Sequence, residues 1–258
     1  MKKRIILLVL LLITFGINSK NLISFNKRSE IQKKCTEDNT LLSKILKQLN
    51  LTEKDIKNEL YVEKKIPNNK LLSIVVIPKI VTKEIDEYNN GFFEFDAYIL
   101  LVENNTGNIK YKFFETNAWT SDAVVLSSIE IDTAPYFLSK NIRGFGVRVN
   151  YTGSSRPNPY SKTDFSMFIN EGNLLKRVLK DFPISEFHGE WDTNCEGEFE
   201  TIESSIVIDK VKTNNFSNLI IKQNITEEKN RKIKDDCIEK KVSKSKTITL
   251  KYNKKEYK

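Results

Sequence analysis

The stretch GFFEFDAYILLVENNTGNIKYKFFE, Gly91 to Glu115, commits the middle of this chain to a β-hairpin. Phe93, Phe95, Ala97, Ile99 and Leu101 recur at every second position and share a face, while Glu94 and Asp96 fall on the other. A period of two is the repeat of an extended strand, whose successive side chains point to opposite sides. The turn Asn104-Asn105-Thr106-Gly107-Asn108 supplies residues that tolerate positive φ, which a tight reversal between strands requires.

The same grammar extends along the chain. KLLSIVVIPKIV is β-branched and apolar, and VVLSSIEIDTAPYFL and IRGFGVRVNY follow as further strands. In the last of these Phe145, Val147, Val149 and Tyr151 share a face, while Gly144 and Gly146 leave the other nearly bare beside Arg148. DFSMFINEGNLLKRVLKDF reads either as two strands about a Glu171-Gly172 turn or as a strand and a short helix. IESSIVIDKV, FSNLIIKQNI and SKTITLKYN are short runs at meander spacing. One helix precedes them, because Leu41, Leu42, Ile45, Leu46 and Leu49 lie at helical intervals opposite Lys44, Lys47 and Gln48. Thr52 with Glu53 and Asp55 reads as the start of a second, shorter one. The expected fold is mainly β: an antiparallel sandwich, barrel or small propeller-like domain preceded by a short helical segment.

The amino terminus sets Lys2, Lys3 and Arg4 before an apolar run from Ile5 to Leu12, with Gly16 and Ser19 beyond it. That order is a signal peptide over residues 1–19, and the run is shorter than the roughly 20 apolar residues of a membrane span. Cys35 lies too far on to carry a lipid at the cleavage point. The expected organisation is a linker and amphipathic helix over 20–60, a β domain over 61–226, and a basic extension with a final strand over 227–258. The expected location is exported, periplasmic or secreted, with no transmembrane segment after signal cleavage.

The formal charge of +8 suggests nucleic acid until it is located. Residues 229–258 hold twelve Lys or Arg against four Asp or Glu, which accounts for the whole excess. The rest is balanced, so no nucleic acid is expected as a partner, and the lysine-rich end reads as a solvated surface. Three cysteines allow one intramolecular bridge. Cys195 with Cys237 is the favoured pair, because Cys35 sits in a polar lead segment; such a bridge would staple the basic tail to the body.

Three stretches are candidates for chemistry. GEWDTNCEGEFETIE matches a calcium loop through Asp192, Asn194, Glu196, Gly197 and Glu203, with Phe199 at the apolar position. Strand-like flanks and the cysteine favour a bridged β corner instead, so no cofactor is expected, with calcium as the weak alternative. The loop NYTGSSRPNPYS carries two prolines that stiffen it and present Ser154, Ser155, Arg156 and Tyr160 for recognition. Trp119 in NAWTSDA either stacks on a sugar ring or packs in the core. His188 is the single histidine, with no serine elbow or zinc helix around it.

These features lead to an exported, non-enzymatic binding module that engages a protein or a glycan through the Ser154–Tyr160 loop, one version being an inhibitor or immunity-type protein of a cell-wall hydrolase. The alternatives are a carbohydrate-active hydrolase using Glu190 and Asp192 as paired carboxylates, or a structural envelope protein.

Overall fold

The computed structural model describes residues 40–67, 69–88 and 91–258. The signal segment and Cys35 lie outside the described residues. Helix α1 (Leu41–Leu49) starts where the Thr40 hydroxyl accepts the Ser43 N–H at 3.1 Å and ends at Asn50, which turns left-handed with φ 55°. Two single 3-10 turns follow, Glu53–Asp55 and Asn58–Leu60.

The strands then run in chain order: β1 (Val62–Ile66), β2 (Asn69–Ile85), β3 (Gly91–Glu103), β4 (Ile109–Ser121), β5 (Val124–Phe137), β6 (Arg143–Gly153), β7 (Tyr160–Glu171), β8 (Leu174–Trp191), β9 (Gly197–Thr213), β10 (Phe216–Ile233) and β11 (Asp236–Leu250). Each pairs antiparallel with its sequence neighbour, giving a four-stranded sheet β1–β4 and a seven-stranded sheet β5–β11. The fold is a mainly β sandwich. The segment around Glu171-Gly172 is two strands and a turn, with Gly172 at φ 61°.

The two sheets pack face to face. Ile74, Val76, Phe95, Ala97, Ile99 and Leu101 of the smaller sheet meet Leu126, Ile129, Ile131, Phe145, Val147 and Val149 of the larger one. The outer face of the smaller sheet is not polar, as Glu94 and Asp96 suggest, but apolar further along: Val75, Ile77, Leu100 and Val102 lie under Ile45 and Leu46 of α1. Burial on both faces explains why IVVI, Ile74 to Ile77, is apolar without a break.

A second core forms because the larger sheet curls. Its register shifts between Asp132 and Tyr136, around Pro135, and the end of β5 swings across until the Ser217 N–H donates to the Leu138 carbonyl at 2.8 Å. Phe165, Met167, Ile169, Leu219 and Ile221 line this core. Gly146 has its reason here, since a Cβ on it would lie 2.1 Å from the Phe165 ring. Arg148 spans that ring and pairs with Asp132 at 2.6 Å.

The carboxyl-terminal residues belong to this architecture. Position 227 falls inside β10, and β11 pairs with β10 from Leu219 to Ile233. The tail is fastened to the body by aromatics as well as by the Cys195–Cys237 disulfide: Tyr252 stacks on Phe216 at 4.4 Å, and the Tyr257 hydroxyl donates to the Ser217 carbonyl at 2.7 Å. Its lysines stay exposed.

Beyond Gln223 the strands outrun both cores. From Asn224 to Ile233, a reach of about 30 Å at the usual strand rise, β10 continues between β9 and β11 as a single-layer arm, and β11 is exposed throughout residues 236–247. Cross-strand ion pairs line it, including Glu227 with Lys244 at 2.6 Å and Glu228 with Lys241 at 3.1 Å. Each exposed pair contributes little. Lysines at 240, 241, 244 and 246 also discourage further strand pairing at the open β11 edge. Among the described residues no helix is long and apolar enough to cross a membrane.

One polar clamp crosses between the sheets. The Arg177 guanidinium on β8 donates to both carboxylate oxygens of Glu115 on β4 and lies 5.2 Å over the Phe113 ring. Burial alone would raise the Glu115 pKa, but Arg177 and then Lys180 hold it below the ordinary 4.5. The carboxylate therefore contributes stability that is fully present above its unfolded value and is lost as pH falls through the lower folded one. Arg177→Met is expected to cost about 3 kcal/mol in urea unfolding at pH 7, because Glu115 keeps its burial and loses its partner. It should also flatten the acid limb of the stability profile. An unchanged urea midpoint would show that the clamp contributes nothing.

Candidate functional site

The proline loop does not project from the body. It lies along the end of β8, where the Pro157 carbonyl accepts the Trp191 N–H at 2.8 Å and the Pro159 carbonyl accepts the Gly189 N–H at 3.1 Å. Prolines have no N–H to give, so a Pro-x-Pro segment fits a strand edge at which only acceptors are needed. This docking places the exposed Arg156 guanidinium over Trp191, 5.6 Å from the ring centre, in a cation–π contact.

The acidic corner after β8 is a tight turn. Asp192 Oδ1 accepts the N–H groups of Asn194 and Cys195, each at 2.9 Å, Thr193 adopts φ 65°, and the Asp192 N–H donates to the Glu196 carbonyl at 2.9 Å. Cys195 bonds to Cys237, tying the β8–β9 turn to the β10–β11 turn at the arm's tip. The calcium set is not assembled. Glu203 lies along the extended β9, six residues beyond Gly197, a distance of about 20 Å at the strand rise, and it pairs with Ser185 and Asn224 instead. Among the described residues no group of three or more His, Cys, Asp or Glu is placed to hold a metal ion.

Between loop and corner lies a cleft of about 480 Å³. Phe187 and Phe199 form its floor, with ring centres 6.1 Å apart and planes within 6°. The Phe199 ring lies flat on the sheet because glycines sit at its neighbours: a Cβ on Gly189 would be 2.2 Å from the ring, and one on Gly197 would be 2.9 Å from it. Arg156, Trp191 and the disulfide wall the cleft, and Asn194, Glu228 and Asn230 supply its polar groups.

The predicted site residues divide. Arg156 lines the cleft, whereas Ser155 uses its hydroxyl to accept the Asn158 N–H at 3.1 Å. Ser154 borders a separate depression with Phe92, Asp122 and Val125. Tyr160 pairs with His188 and so shares the face opposite Phe187 and Trp191; burial, then nearby Glu186, pushes its hydroxyl pKa up. Trp119 is 8 % exposed in the sandwich core, where it pairs with Phe95 across β3 and β4, and it offers no ring to a sugar. Glu190 and Asp192 do not face each other across a cleft. Glu190 projects to the side opposite Trp191, with Glu198 and Glu200, while an Asp192 oxygen is engaged in the turn.

The aromatic floor went unread in the sequence, although its signal is present: Phe187, Gly189 and Trp191 alternate on one strand and Gly197 and Phe199 on the next. Only the register, Gly189 opposite Phe199, brings them together. Comparison with family models, curated proteins and solved structures gives no match.

The disulfide closes a separation of 42 residues at the end of an arm without a core. Removing it as Cys195→Ser with Cys237→Ser is expected to lower stability by up to about 4 kcal/mol in the chain-entropy treatment. Hydrogen exchange should rise first at residues 225–240 while the two cores stay protected. Exchange that rises equally in β2 and β3 would contradict an independently mobile arm tip.

Proposed function

We propose that this chain is an exported, non-enzymatic binding module that takes a glycan or a segment of a partner protein into the cleft under Arg156. The observation that supports this reading is convergence. A stiff loop and a disulfide-bonded corner, from separate parts of the chain, meet around aromatic rings held by glycines and by two backbone hydrogen bonds. Such a site loses little conformational entropy when it is occupied. A disulfide-bonded β domain, with no helix long and apolar enough to cross a membrane among the described residues, is compatible with an oxidising, exported setting. Because the loop walls a cleft, it serves as part of a receptor surface instead of a plug inserted into an enzyme.

The test is capture by immobilised protein from the exported fraction of the producing cell, with glycans and proteins analysed separately. Arg156→Ala combined with Trp191→Ala is expected to weaken capture at least about tenfold, since cation–π partners and aromatic anchors dominate such sites. Tyr160→Phe, on the other face, should leave capture unchanged. Retention by the double variant, with loss in Glu198→Lys plus Glu200→Lys, would move the site to the opposite face and overturn the proposal.

A further inference from the structure

We infer that the Phe187–Phe199 floor is a stacking platform for the flat face of a pyranose, and that the cleft takes a neutral oligosaccharide of equatorially substituted sugars such as β-linked glucose or N-acetylglucosamine. The inference rests on the binding reading above and narrows it to one ligand chemistry.

The first argument is the attitude of the rings. A phenylalanine on a strand usually stands away from the sheet, but Phe199 lies down because Gly189 and Gly197 leave the space that Cβ atoms would fill. One face of the ring covers the glycines and the other meets the cleft. The Phe187 ring stacks parallel to it, within 6° at 6.1 Å, and also lines the cleft, which adds apolar surface beside the Phe199 face for a sugar to rest on. The axial C–H bonds of an all-equatorial pyranose form a flat, weakly positive patch, and the face of an aromatic ring is negative. An axial hydroxyl on that side would lift the sugar off the ring.

The second argument is the polar rim. Directly across the register, Glu228 faces Phe199 and Asn230 faces Gly197. Asn230 Nδ2 donates to Glu228 Oε1 at 3.1 Å, while Asn230 Oδ1 has no hydrogen-bond partner and is closed off from solvent. The Asn230 side chain lines the cleft, and a primary amide can both donate to and accept from a sugar hydroxyl. Arg156 supplies N–H donors from the opposite wall. A hydroxyl both gives and takes hydrogen bonds, which suits a rim of amide, carboxylate and guanidinium.

The third argument is charge. Glu228 is already engaged, by Lys241 at 3.1 Å, which it shares with Glu239, and by the Asn230 amide at 3.1 Å. An anion would find Arg156, but it would also meet the Glu228 carboxylate in the lining. A neutral ligand meets no such penalty.

The experiment is calorimetric titration of the full chain, disulfide intact, with the hexamers of β-1,4-linked N-acetylglucosamine and glucose. A β-1,4-galactan oligomer, whose axial C4–O linkage disturbs the face and bends the chain, serves as comparison. Wild-type protein is expected to bind at least one of the two equatorial hexamers and to bind the galactan at least about tenfold more weakly. Phe199→Ala and Phe187→Ala should each weaken the hexamer by about tenfold. Gly189→Ala, which keeps both rings but tilts Phe199 off the sheet, should weaken it as well. Thermal melts verify that each variant is folded, and the conservative Phe199→Tyr should restore binding if Phe199→Ala proves unstable. Failure of both hexamers to bind wild-type protein at millimolar concentration overturns the glycan assignment, as does binding indifferent to Phe187 and Phe199. If a protein partner is nonetheless captured through Arg156 and Trp191, the binding reading stands and only this narrowing fails.

Discussion

Strands β8, β9 and β10 run for 18, 17 and 18 residues, and the apolar faces that cover them give out about halfway. That mismatch between strand length and core depth shapes the rest of the molecule. At the base, burial on both sides of the sheet holds the strands in place. Further out there is nothing to bury against, so a single layer must be kept flat by cross-strand ion pairs, a bridge across two turns and a proline loop laid along one strand. The candidate site sits at that far end because only there does a sheet face stay uncovered while its strands remain in register.

The base supplies the rigidity on which this depends. Helix α1 covers one face of the smaller sheet, the larger sheet covers the other, and Arg177 reaches across to Glu115 where the sheets meet. The larger sheet then curls around its own second core and is locked by Tyr252 and Tyr257, so that the basic end of the chain contributes through its two tyrosines while its lysines remain in water. Arg148, Asp132 and Gly146 belong to this second core: the glycine admits the Phe165 ring, and burial of Asp132, which alone would raise its pKa, is outweighed by the Ala134 N–H, Arg148 and the Tyr136 hydroxyl.

Much of the fold was legible in the sequence where the physics is local. Alternation in Gly91–Glu115 gave the β3–β4 hairpin and its inner face, helical spacing gave α1, and an odd cysteine count left Cys195 with Cys237 as the preferred pair. The proline loop was also recognisable as stiff. What was not legible was partnership. Trp119 carries no mark that separates a stacking tryptophan from a core one, because that depends on which sheet lies above it. Arg156 and Tyr160 look equivalent in a loop, yet they end on opposite faces of β8. Phe199 looked like one position of a calcium loop, and it became part of an aromatic floor only when Gly189 came to stand across from it.

The sequence alone therefore determined the local alphabet: extended runs of period two, the turns between them, one amphipathic helix, a charge excess confined to the last 30 residues and room for one bridge among three cysteines. These follow from backbone sterics and nearest-neighbour chemistry, which act over a few residues. Only the tertiary structure decided that the strands divide four and seven into two sheets, that the larger sheet outruns its core, and that a loop after β6 meets a turn after β8 around two parallel rings. The reason is that register and facing are set by contacts between residues distant in the chain, and a period of two says which side chains share a face but not what that face will meet.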